Sequence, residues 1–191
     1  MDKDRLNAFT DGVFAVIITI MVLELKPPTG AGAAGLLPSI PIFLAYVLSF
    51  VNVGIYWVNH HHMLHAVRRV DGASLLANLF LLFWLSLAPF VIRWIDEAGV
   101  APWPVFAYGV IMFMAGVAYS ILQSTLIRAD GPDSKLKSAV GDDRKGKISV
   151  VLYVAGLALS FVAPYAAAAI YVAIGAMWLV PDRRIERHGA A

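Results

Sequence analysis

Long apolar runs, broken by short polar or proline- and glycine-bearing stretches, constrain this chain more than any other feature. About 20 such residues are what a helix needs to cross the roughly 30 Å hydrocarbon layer of a bilayer. The runs fall at about 6–25, 36–60, 74–95, 103–127, 147–163 and 165–181. The first four stand clear. The last two are short and only Pro164 and Tyr165 part them, so hydropathy alone also admits a single over-long helix there.

Charge placement decides between these readings. With a cytoplasmic N-terminus and six spans, thirteen of the fifteen Lys and Arg residues lie on inner segments, and only Lys26 and Arg93 lie outside. That is the asymmetry of the positive-inside rule. The stretch 128–147 and the tail after 181 are both basic, with Arg183, Arg184 and Arg187 in the tail, so an even number of crossings separates them. The expected fold is an all-α integral membrane protein: one domain over residues 1–191, six transmembrane helices, N- and C-termini cytoplasmic.

Composition agrees. The chain is 60% hydrophobic and 15% charged with mean hydropathy +0.73, whereas soluble domains carry about 25% charged residues. The net charge of +2 offers no basic field for nucleic acid. Without cysteine there is no disulfide framework, thiolate nucleophile or Cys-ligated metal. No internal repeat is visible, which argues against an inverted-repeat transporter complete in one chain. Pro27–Pro38 reads as an outer connection and Gly131–Lys147 as a flexible polar inner loop. The start, with Lys3, Arg5 and an apolar core over Val13–Leu23, also resembles a signal peptide, but Asp2, Asp4 and Asp11 are foreign to such a leader.

Chemistry concentrates near the inner boundary. Arg5, Thr10, Asp11 and Gly12 lead straight into the first apolar helix, where an unpaired buried charge costs several kcal/mol. Either Thr10 or Asp11 caps the helix N-terminus while Arg5 snorkels to lipid phosphates, or these groups join a buried polar network. Downstream, Val16, Thr19, Ile20 and Leu23 recur at i, i+3, i+4, i+7 and form one stripe. The Thr19 hydroxyl either bonds back to its own helix or faces water in a conduit. Glu24 and Lys26 stand at the outer interface.

On the second span, His60, His61, His62 and His65 follow Trp57. His61 and His65 share a face at i, i+4, as a metal or haem site requires, but no second-shell carboxylate beyond Asp71 and no His-Glu-x-x-His pattern accompanies them. The alternative is an interfacial role or a hydrogen bond to a carboxylate such as Asp11. Asn78 on the third span lies at the same depth, so Arg5, Asp11, His60 and Asn78 are expected to form one network. No catalytic triad, paired carboxylates or Gly-rich phosphate loop is present, so no enzyme is expected.

Arg5-x-x-x-Phe9-Thr10-Asp11-Gly12 resembles the Arg-x-x-x-Phe-Ser-Asp-Gly hallmark of the transmembrane protein 175 family, potassium-permeable channels of bacteria and lysosomes, with Thr10 in place of the usual serine. Trp57-x-x-His60, and Asn78 with Pro89-Phe90, look like further marks of that family. The resemblance covers residues 5 to about 93. It implies a multi-pass protein of the bacterial inner membrane and a symmetric homotetramer whose first helices line a central pore. It also implies potassium selectivity without a carbonyl filter: a constriction at Val16, potassium held transiently at a Thr19 ring, and apolar rings at Ile20 and Leu23. Arg5, Phe9, Thr10, Asp11, Gly12, His60 and Asn78 would then be structural braces. The expected partners are copies of the chain itself, the lipid bilayer, potassium and other monovalent cations, with no cofactor beyond the permeant ion. The rival from another class is a proton- or ion-coupled secondary transporter in which Asp11 and His60 titrate as a pair.

Overall fold

The computed structural model of the chain describes residues 3–27, 32–140 and 143–179. Helix α1 covers Lys3–Leu23, and a 3-10 turn over Ala33–Ser39 leads into α2, Ile40–Ala66. Then come α3 (Gly72–Ser86), α4 (Ala88–Ala98), α5 (Pro102–Asp130), α6 (Lys135–Val140), α7 (Arg144–Leu159) and α8 (Pro164–Leu179). No strand occurs among the described residues. Four helical stretches are long and apolar enough to cross a bilayer: Lys3–Leu23, Gly35–Ala66, Gly72–Ala98 and Pro102–Asp130. The chain is an all-helical, multi-pass membrane protein. Helices α7 and α8 have 16 residues each, about 24 Å at 1.5 Å per residue, and they pack on each other as a hairpin.

Local chemistry sets the boundaries. Asp71 caps α3 by accepting from the Ser74 N–H and hydroxyl, both at 2.8 Å, and these bonds hold its carboxyl below the usual carboxylate range. Asp143 caps α7 by accepting from the Gly146 N–H at 2.8 Å. Gly99 (φ 73°) and Gly131 (φ 94°) end α4 and α5 in a backbone region that side-chain-bearing residues avoid. The third span is broken between Ser86 and Ala88, because Pro89 has no N–H to give and its ring crowds the turn before it.

Three expectations change. Helix α1 begins at Lys3, so Thr10 and Asp11 lie inside it and neither caps its start. The inner loop read as flexible contains α6, where Leu136 is buried, and the preceding Ser134 is buried too. The third span is two helices in line rather than one. Residues 28–31 of the outer connection, the end of the sixth expected span at 180–181, and Arg183, Arg184 and Arg187 lie outside the described residues.

Helices α3 and α4 run along α5, while α1 lies against α2, α3 and α4. Leu81, Leu85, Val91 and Ile92 from one side and Met112, Ala115, Ala118 and Leu122 from the other are fully buried. The alanines let the backbones approach closely, as membrane helices do where lipid supplies no hydrophobic drive. At the second junction the Tyr171 ring of α8 is wedged onto bare backbone: a Cβ on Gly156 of α7 would lie 2.5 Å from its Cε1, and one on Gly109 of α5 would collide with its hydroxyl. Overpacking such a site costs about 1–3 kcal/mol. Gly156→Leu is therefore expected to lower the melting temperature of the detergent-solubilised protein by several degrees. Gly54→Ala, where an added Cβ meets nothing within 4 Å, leaves it unchanged or raised.

Candidate functional site

Helix α1 has two opposed faces. Leu6, Thr10, Phe14, Ile17 and Met21 are buried against the rest of the chain. Arg5, Phe9, Gly12, Val16, Thr19, Ile20 and Leu23 are exposed, and at 3.6 residues per turn they occupy an arc of about 100°. Val16 is 54% exposed and Leu23 80%. The stripe read from periodicity is thus the face that one chain leaves uncovered.

The buried face carries a polar brace. Asn78 Nδ2 of α3 donates to Thr10 Oγ1 at 2.9 Å, and Asn78 Oδ1 meets His60 Nε2 of α2 at 2.8 Å. All three residues are 0% exposed. Because Asn78 Oδ1 only accepts, His60 takes the Nε2–H tautomer. Its Nδ1 then has no partner among the described residues, and its ring lies 6.2 Å from that of Phe14. A single amide therefore joins three helices at one depth.

Asp11 belongs to a second set of bonds. Its Oδ1 accepts from Trp57 Nε1 at 2.8 Å and its Oδ2 from Asn7 Nδ2 at 3.0 Å. The single network expected from depth is therefore divided: Thr10, Asn78 and His60 form one chain of bonds, and Asp11 forms another with Trp57 and Asn7. The indole, not a histidine, holds the carboxylate. Arg5, Phe9 and Gly12 join neither and sit on the exposed face. Trp57 lies one helical turn before His60, so one helix edge serves both sets. Asn7 was missed, although i, i+4 spacing to Asp11 is a pairing signal.

The Thr19 hydroxyl reaches back to the carbonyls of Ala15 (3.0 Å) and Val16 (2.9 Å). Its proton is thereby committed to its own helix, and its oxygen lone pairs are left toward the open face. Beyond the C-terminal end of α1, Lys26 pairs with Asp96 at 2.7 Å, which raises its pKa first through the hydrogen bond and then through the charge. Arg93 pairs with Glu97 at 3.1 Å and lies 3.8 Å from Glu24. The two outer cations thus tie the end of α1 to α4. The His61 and His65 ring centres lie 4.3 Å apart with the planes tilted by 52°, and no cluster of three or more potential metal ligands forms among the described residues.

A family profile described as endosomal/lysosomal potassium channel TMEM175 matches residues 5–89, the stretch that holds both bond sets. A protein named potassium channel from Chryseobacterium sp. (strain P1-3) is 51% identical over 187 residues, 98% of this chain and 97% of that one. The chain belongs to the TMEM175 family. A second relative, named potassium channel, from Streptomyces collinus is 33% identical over 135 residues, 66% of each chain. The crystal structure of a lysosomal potassium-selective channel TMEM175 homolog from Chamaesiphon minutus superposes with a TM-score of 0.75 at 25% identity, covering 93% of this chain and 96% of that one. TMEM175 is a channel family rather than an enzyme class, and in this TMEM175 member the task visible for the bonds of Thr10, Asn78 and His60 is to tie α1 to α2 and α3.

Removing the shared amide tests that task. Asn78→Leu strands His60 Nε2 and the Thr10 hydroxyl, and is expected to destabilise the protein by about 1–3 kcal/mol in a denaturation assay in detergent micelles. A double-mutant cycle of His60→Ala with Asn78→Ala should return a coupling of about 0.6 kcal/mol or more. A cycle of His60→Ala with Asp11→Asn should return much less.

Proposed function

We propose that this chain is a potassium-selective cation channel of the bacterial inner membrane that works as a symmetric homotetramer. Its whole length forms one channel domain, and six helices cross the bilayer, the hairpin of α7 and α8 supplying the last two. Both termini then lie in the cytoplasm, as the charge asymmetry requires. The observation that carries this reading is the uncovered face of α1: one continuous stripe of Val16, Thr19, Ile20 and Leu23, opposite a face locked by buried hydrogen bonds. Gly12 supports it, because an added Cβ there would meet nothing within 4 Å in one chain. The small residue is needed only if another chain, or a water path, comes close.

Four such stripes around a four-fold axis make stacked rings. Narrow apolar rings at Val16, Ile20 and Leu23 gate by dewetting, and a small widening admits partly dehydrated cations. The Thr19 oxygens, with their protons turned toward their own helices, replace some of the water that an ion sheds. Potassium surrenders its shell more readily than sodium, so the ring favours it. No cofactor takes part beyond the permeant ion. The coupled-carrier reading is weaker, because Asp11 and His60 sit in separate bond sets and are not hydrogen-bonded to each other.

Potassium and sodium flux into vesicles loaded with the purified protein tests the reading. Thr19→Ala is expected to lower the potassium-to-sodium ratio about fivefold, the ~1 kcal/mol scale of a hydroxyl contact. Val16→Asn should raise resting leak by wetting the constriction. If both substitutions are silent, α1 does not line the path.

A further inference from the structure

A groove of about 1340 Å³ opens between α2, α5 and the α7–α8 hairpin, away from the uncovered face of α1 and from the buried brace. It exceeds the 300–1,000 Å³ usual for small-molecule pockets. Its composition changes along its length. Phe50, Ile55, Phe113, Val117 and Ile121 line the part at mid-membrane depth. Asn59 and Gln123 follow with amide N–H donors, and Arg128, Lys145, Lys147 and His62 also line the groove, with Asp143 as the carboxylate among the described residues. The Lys145 ammonium lies 5.9 Å from the centre of the Trp178 ring, which places an indole at the same level.

We propose that this groove binds one anionic phospholipid of the cytoplasmic leaflet, its phosphate at Arg128, Lys145 and Lys147 and an acyl chain along Phe50, Phe113 and Val117. Three properties select that occupant. Among the described residues the cations at the mouth outnumber the carboxylate, and basic pockets between membrane helices on the cytoplasmic side suit anionic headgroups. The amide donors stand between mouth and apolar floor, where the ester carbonyls of a lipid need donors. The length also fits: α2 lines the groove from Phe50 to His62 and α5 from Phe113 to Arg128, about 18–22 Å at 1.5 Å per residue. That is half of a 40–45 Å bilayer. A phospholipid of one leaflet has this reach and this polarity gradient, whereas a partner's transmembrane helix would present apolar surface to a charged mouth. The leaflet assignment rests on the orientation proposed above; the binding itself does not.

Native mass spectrometry of the full-length protein, titrated with phosphatidylglycerol or phosphatidylcholine, tests the proposal. Phosphatidylglycerol is expected to remain bound at one molecule per chain and to be preferred over phosphatidylcholine. The triple variant R128Q/K145Q/K147Q should reduce that preference at least about tenfold, since each basic side chain near a lipid surface contributes about fivefold. Val117→Trp, which fills the floor, should remove both lipids. Equal retention of the two lipids, unmoved by these variants, overturns the site. So does a Ser120→Cys protein that cross-links to a second chain, because a partner then occupies the groove. Flux on the same preparations separates the two claims: lipid preference without flux sinks only the channel reading, and flux without lipid preference sinks only the lipid site.

Discussion

Hydrocarbon offers no water to a stranded hydrogen-bonding group, and that constraint organises the inner third of this protein. Thr10, Asn78 and His60 are fully enclosed, so each must find its partner within the chain. The solution is one amide that reaches a hydroxyl on one side and an imidazole on the other. It fixes α1 in rotation as well as in height: turning the helix by even one residue, 100° of azimuth, would take the Thr10 hydroxyl away from Asn78. The same bonds that hide Leu6, Phe14 and Ile17 therefore present Val16, Thr19 and Leu23 outward.

Much of this was legible in the sequence. Run length anticipated the four helical stretches long and apolar enough to cross a bilayer, because the thickness of the bilayer sets a ruler for such helices. Period 3.6 found the outward stripe for the same reason. What stayed hidden was polar connectivity. Depth placed Arg5, Asp11, His60 and Asn78 on one level, but helices also have azimuth, and azimuth separates Arg5 from Thr10 and gives Asp11 to Trp57. The inward reach of the motif also misled: an acid and a hydroxyl beside an apolar run look like a cap, yet helix α1 starts a full two turns earlier. Pro89 was noted in the sequence, but the break it makes depends on which turn loses its bond.

The second half of the chain is centred on ring packing, with Trp178 Nε1 of α8 donating to Ser149 Oγ of α7 at 2.9 Å. Tyr171 meets Gly109 and Gly156, packs 5.8 Å from the rings of both Tyr108 and Tyr153, and has Ser160 beside its hydroxyl. Asn52 of α2 donates to the Tyr108 hydroxyl at 2.9 Å, which joins this aromatic stack to the α2 wall. Short helices that would be marginal alone gain their position from one large side chain and two absent ones. Tyr153 and Ile174 of the same hairpin help to line the lateral groove.

Helix α1 is moored at both tips, and the moorings differ in kind. At the N-terminal tip Lys3 donates to the Val67 carbonyl at 3.2 Å, with the enclosed Thr10–Asn78 bond two helical turns above it. At the far tip the ties are ion pairs among Glu24, Lys26, Arg93 and Asp96 that water reaches, with 63% of the Lys26 side chain and 61% of the Arg93 side chain exposed. Dissolved electrolyte weakens the second kind and hardly touches the first. The helix thus resembles a mast stepped firmly at the keel and stayed aloft by brine-sensitive rigging, whose stays slacken in salt while the foot keeps station.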